Sequence, residues 1–86
     1  MIYHKPIKLG EPFLATANVT FGYQSARETF SVWFVAGQPE NTSYIALGTG
    51  HETDAAGRVP RIKRLVATVC VDGFHVFHLC ELEEGQ

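Results

Sequence analysis

The chain has 86 residues, 45% hydrophobic and 19% charged, with six Phe, three Tyr and one Trp. That is one domain's worth of chain, too apolar and aromatic for disorder and too short for a thick core. A formal charge of −2 gives no bulk attraction to nucleic acid or an anionic membrane, and no stretch approaches the ~18 apolar residues of a spanning helix. The start, MIYHKPIKLGEP, has no apolar run behind a basic cluster. It therefore reads as a chain without a secretory leader and as cytoplasmic.

In chain order, IYHKPIKL can add an edge strand, because Pro6 lacks the amide that a central strand needs. From Pro12 to Tyr23 the residues Phe13, Ala15, Ala17, Val19, Phe21 and Tyr23 alternate with Thr16, Asn18, Thr20 and Gly22, which predicts a half-buried strand over 12–23. Residues 28–36 are dominated by β-branched and aromatic side chains and predict a second strand. The alternative there is a helix at 26–36, capped by Ser25-x-x-Glu28 and stopped at Gly37, which would make the fold α+β. GQPENT is a turn by composition, and SYIALG predicts a strand over 43–48. In the following TGHETDAAGRVP, Thr49-x-x-Glu52 and Gly57 would bracket a short helix at 50–56.

The runs over 61–71 and 74–82 flank Asp72-Gly73, the pair that suits a two-residue hairpin loop because both positions need positive φ. The expected architecture is thus all-β: one domain over 1–86, a small antiparallel five-stranded sheet or barrel with one short helix.

Two cysteines and two histidines crowd this hairpin. A two-residue loop would set Cys70 opposite His75 on one face and leave His78 and Cys80 on the other, among Leu65, Ala67, Val69, Val71, Phe74, Val76 and Leu82. Ligands divided between two faces cannot converge on zinc, so no metal site is expected, and the thiols should be free. Cys70 and His75 would be close enough for a thiolate–imidazolium pair, but no orienting third group or oxyanion donor accompanies them. They are the weak candidates for a thiol-dependent enzyme. No cofactor is implied.

The same register turns Val66, Phe77 and Leu79 outward, a strip too apolar for open solvent, to which Trp33 could add an anchor. Four of the seven basic residues, Arg58, Arg61, Lys63 and Arg64, fall in RVPRIKR. Next to aromatic strands such a segment could track a single-stranded nucleic acid, although alternation spreads its charge over two sides. His51, Glu52 and Asp54 are titratable, yet Glu52 and Asp54 suit a helix start better than a site. Glu81, Glu83 and Glu84 form a solvated, frayed acidic end.

The favoured expectation is a small non-enzymatic interaction module, homo-oligomeric or bound to a protein partner, with no membrane role. An accessory protein of a phage or mobile element would fit this profile. Nucleic-acid binding through 58–64 and thiol chemistry at Cys70 and His75 are the alternatives.

Overall fold

The computed structural model describes residues 1–83, and among these there are seven strands and no helix. The strands are β1 (Ile2–Ile7), β2 (Phe13–Ala15), β3 (Thr20–Gln24), β4 (Thr29–Val35), β5 (Thr42–Gly48), β6 (Ile62–Val71) and β7 (His75–Leu82). They form two antiparallel sheets, one ordered β1-β4-β3 and the other β2-β5-β7-β6. The all-β expectation holds, and β1 is an edge strand carrying Pro6.

The single strand expected over 12–23 is two strands in different sheets. Between β2 and β3 the chain turns a corner at Thr16–Val19, where the Thr16 hydroxyl donates to the Asn18 carbonyl (2.8 Å) and the buried Tyr44 hydroxyl donates to the Thr16 carbonyl (2.6 Å). The corner interrupts the inside–outside alternation: Ala15 and Thr16 are both buried and Ala17 and Asn18 both exposed, before the period resumes in β3 with Phe21 inward. The helix at 26–36 is replaced by β4. Ser25 and Glu28 close the β3–β4 turn instead of capping a helix: the Glu28 amide donates to the Ser25 carbonyl (3.2 Å), and Glu28 takes φ 51°.

The sheets face each other through Phe21, Phe30, Val32 and Phe34 on one side and Ala15, Tyr44, Ala46, Val71 and Leu79 on the other. Phe30 and Phe77 meet across the gap with ring centroids 4.6 Å apart. A second apolar cluster, Ile45, Leu47, Cys80 and Leu82, lies on the outer face of the four-stranded sheet and is nonetheless buried. Topology explains its cover. β5 and β6 are both antiparallel to β7, so they run parallel on either side of it and need a long crossover. With the inner face taken by the other sheet, residues 49–61 must pass over the outer one. The Ala55 amide bonds the Gly10 carbonyl (2.9 Å) beyond β5, and the Arg61 carbonyl accepts from the Glu83 amide (2.9 Å) at the far side.

No helix forms at 50–56. Asp54 instead organises a tight loop, its Oδ1 accepting from the Ala56 and Arg58 amides, both at 2.9 Å, while the Thr49 hydroxyl turns to His78 (2.8 Å) rather than to a capping box. With only alanines to bury, this segment had no apolar face to hold a helix.

The terminal hairpin forms, but not in the expected register. Asp72 (φ 56°) and Gly73 (φ 71°) adopt the positive φ angles of the turn. Pairing resumes at Val71 opposite His75, leaving Phe74 as an extra, outward residue that is 87% exposed. A one-residue slip flips a strand, and all of β7 is reversed relative to expectation. Two irregularities in β6, at Ile62/Arg64 and Leu65/Ala67, shift the pairing again, so Leu65 does face Cys80, yet it is exposed rather than part of the core.

Candidate functional site

The register decides the cysteines and histidines first. Cys70 lies opposite Val76, and His75 lies opposite Val71, so the two project from opposite faces and no thiolate–imidazolium pair forms. Cys70, His78 and Cys80 share the outer face, against the expected two-and-two division. Cys80 is four positions along β7 from Cys70's partner, about 13 Å, too far for a disulfide. Both thiols are free. Among the described residues no three His, Cys, Asp or Glu side chains are grouped to hold a metal ion. His78 is tied by hydroxyls, Thr68 at Nδ1 (3.0 Å) and Thr49 at Nε2 (2.8 Å).

The two thiols should react very differently. Cys70 is exposed, whereas Cys80 is buried and its burial pushes the thiol pKa up, which removes thiolate as well as access. Alkylation followed by mass spectrometry should label Cys70 about 100-fold faster or more, the protection that a local opening free energy of ~2.7 kcal/mol confers. Equal rates would mean that the crossover does not cover the outer face.

The basic segment is exposed but already partly answered. Glu81, expected in a frayed acidic end, is a β7 residue whose carboxylate takes Arg64 Nε at 2.7 Å and Lys63 Nζ at 3.5 Å. Glu84 lies outside the described residues. Arg58 and Arg61 precede β6 on the crossover and are exposed. The hydrogen bond from Arg64, aided by Lys63, holds the Glu81 carboxyl below the usual carboxylate range. A depressed carboxylate pKa contributes stability that is present above the unfolded value of ~4.3 and is lost as pH falls through the lower folded value. Acid unfolding of wild type and Glu81→Gln should therefore converge below about pH 4, with wild type the more stable at neutral pH by up to ~1 kcal/mol, since both cationic partners are solvated. A constant difference across that range would remove the ion pair from the account.

The proposed interface strip does not assemble. Leu79 is 0% exposed in the core, Phe77 packs on Phe30, and Val66 sits at the β6 bulge against the same core. Trp33 has a different setting, the outer face of the three-stranded sheet, over which no strand among the described residues lies. There it lies between His4 on β1 and Thr20 on β3. The His4 ring stacks on it (centroids 5.0 Å apart, 30° between planes), and His4 Nε2 is bonded to the Ser31 hydroxyl at 2.7 Å. On the other side the indole occupies the space above Gly22, where a Cβ would come within 3.2 Å of its ring. The ring is thus wedged in one position. Beside it, Ile2 and Val35 face each other at 70% and 58% exposure. Two shallow hollows meeting at Asn18 and Val35 continue the face past Trp33 toward Gln38.

Ser31 and His4 resemble part of a nucleophile pair, but Ser31 is fully buried beneath the two rings, and among the described residues no carboxylate orients His4. Alternation along β4 already sets Val35 on the Trp33 face, whereas Ile2 and His4 become visible beside it only once β1 is seen to pair with β4. In comparisons with protein families, with curated proteins and with solved structures, the chain matches none. No helix among the described residues is long and apolar enough to cross a membrane.

Proposed function

We propose that this chain is a non-enzymatic interaction module that works as a homo-oligomer in a reducing, cytoplasmic setting, with the outer face of the three-stranded sheet as its contact surface. The observation that supports this reading most is the wedged Trp33 beside exposed Ile2 and Val35 on an uncovered face. A preordered aromatic loses little entropy on contact and is the residue type that most often anchors interfaces. The occupant that fits is a second copy of the same face, because the patch is apolar and carries no charge that would repel itself across a two-fold axis.

Size sets the strength. Three strands of six, five and seven residues, ~4.8 Å apart, span a projected area on the order of 300 Å², below the ~800 Å² per partner of a standard stable interface. The association should be weak, with a dissociation constant in the range of tens of micromolar or above. Sedimentation velocity from about 10 μM to 1 mM should show a concentration-dependent dimer. Trp33→Ala should weaken it roughly 30-fold, and Val35→Glu, which alters only an exposed side chain, should abolish it without loss of fold. A strictly monomeric chain over the whole range, or a dimer untouched by Val35→Glu, would sink the proposal.

A further inference from the structure

β5 is an interior strand, and each amide on its edge away from β7 needs an acceptor. β2 pairs with Thr42, Ser43 and Tyr44, and Gly10 bonds the Ala46 carbonyl at 2.8 Å. Farther along, the Thr49 amide donates to the Val76 carbonyl (3.0 Å), which makes Gly48 and Phe77 a non-hydrogen-bonded pair and turns the Gly48 N–H away from β7. Where a neighbouring strand would offer a carbonyl, His51 Nδ1 accepts instead, at 3.1 Å. The turn that brings it there has Gly50 at φ 90° and is closed by the His51 amide on the Gly48 carbonyl (3.1 Å). The ring then lies where a side chain at 48 would be, 3.2 Å from an ideal Cβ.

A backbone amide only donates, so Nδ1 carries no proton and the ring is the neutral Nε2–H tautomer. A second proton would set N–H against N–H and orphan the amide of a buried residue. We infer that His51 is a proton-operated latch: neutral, it closes the turn that starts the crossover; protonated, it frees that turn and opens the recess lined by Leu9, Gly10 and Asp54. Asp54 in this recess is engaged with the Ala56 and Arg58 amides, Glu52 lies next along the loop, and Lys8 and Glu11 flank Leu9 and Gly10. On β7, His75 neighbours Phe77, and His78 is bonded to hydroxyls, which can donate or accept and so serve either charge state. His4 likewise meets a hydroxyl, that of Ser31, whereas His51 is bonded to a backbone amide, which has no choice of role.

Amide hydrogen exchange by NMR on the whole chain, corrected for intrinsic rates, tests this between about pH 5 and 8. Protection of the Gly48 amide should fall about tenfold at the acid end, while the Gly10 amide, bonded to Ala46, stays protected at both. In His51→Ala the Gly48 amide should exchange fast at either pH. Unchanged Gly48 protection in the wild type, pH-dependent protection surviving in His51→Ala, or ring nitrogen shifts showing Nδ1–H at neutral pH would each overturn the latch.

Discussion

Leu79→Ala should lower the unfolding free energy by about 3 kcal/mol, and Ile45→Ala by a similar amount, read as matched drops in urea midpoint. Both side chains are 0% exposed, but they lie on opposite faces of the four-stranded sheet. Leu79 points between the sheets, where its loss opens a cavity among Phe30, Val32 and Tyr44 that two hydrogen-bonded sheets cannot close by sliding. Ile45 points the other way, under the crossover. If the hairpin had the two-residue loop that its sequence predicts, Leu79 would be an outward residue and its truncation would fall within about 0.5 kcal/mol of neutral. The pair therefore separates two claims: a small effect at Leu79 alone would restore the other register, and a small effect at Ile45 alone would mean that residues 49–61 do not pack on the sheet.

Gly10→Ala should cost about 2 kcal/mol or more, the largest effect expected from adding one methyl group. Two causes add there. Gly10 takes φ 76°, which L side chains rarely adopt, and a Cβ at this position would lie 3.0 Å from the backbone nitrogen of Ala55. That nitrogen is the donor that pins the crossover to Gly10, and backbone cannot step aside as a flexible side chain would. Gly37 is the internal control: its φ is 94°, but nothing lies within 4 Å of its ideal Cβ. Gly37→Ala should show the conformational cost alone, about 1 kcal/mol. Equal losses at the two sites in chemical denaturation would place Ala55 farther from Gly10 than described.

Much of this fold follows from alternation. The β-branched and aromatic content of β4 outweighed its apparent helix caps, Pro6 marked an edge strand, and Asp72-Gly73 marked the turn. Failure came where a period of two is blind. The lettering of the sequence alternates on through the Thr16–Val19 corner, although in the structure Thr16 is buried and Ala17 exposed, and nothing local states that the chain has left one sheet for the other. Phe74 is apolar and sits where a strand residue belongs, yet one unpaired residue reverses the strand after it; that single error moved Leu79 from core to surface and set Cys70 against His75 in anticipation. The outer face of the three-stranded sheet shows the same limit. Trp33 stood out by type, but Ile2 and His4 beside it come from the start of the chain and depend on strand order. His51 stood out as titratable, though its partner is a backbone amide that no side-chain pattern reveals.

The placement of β7 also bears on how the chain is built. β7 follows both β5 and β6 in the chain, yet it lies between them in the sheet. During synthesis β6 has no hydrogen-bonded neighbour, and β5 has only the three residues of β2, until the last strand leaves the ribosome. The four-stranded sheet thus cannot close until β7 has been made. Until then two apolar strands present open edges to solvent, which makes the nascent chain, rather than the finished protein, the species most exposed to aggregation and most in need of a chaperone.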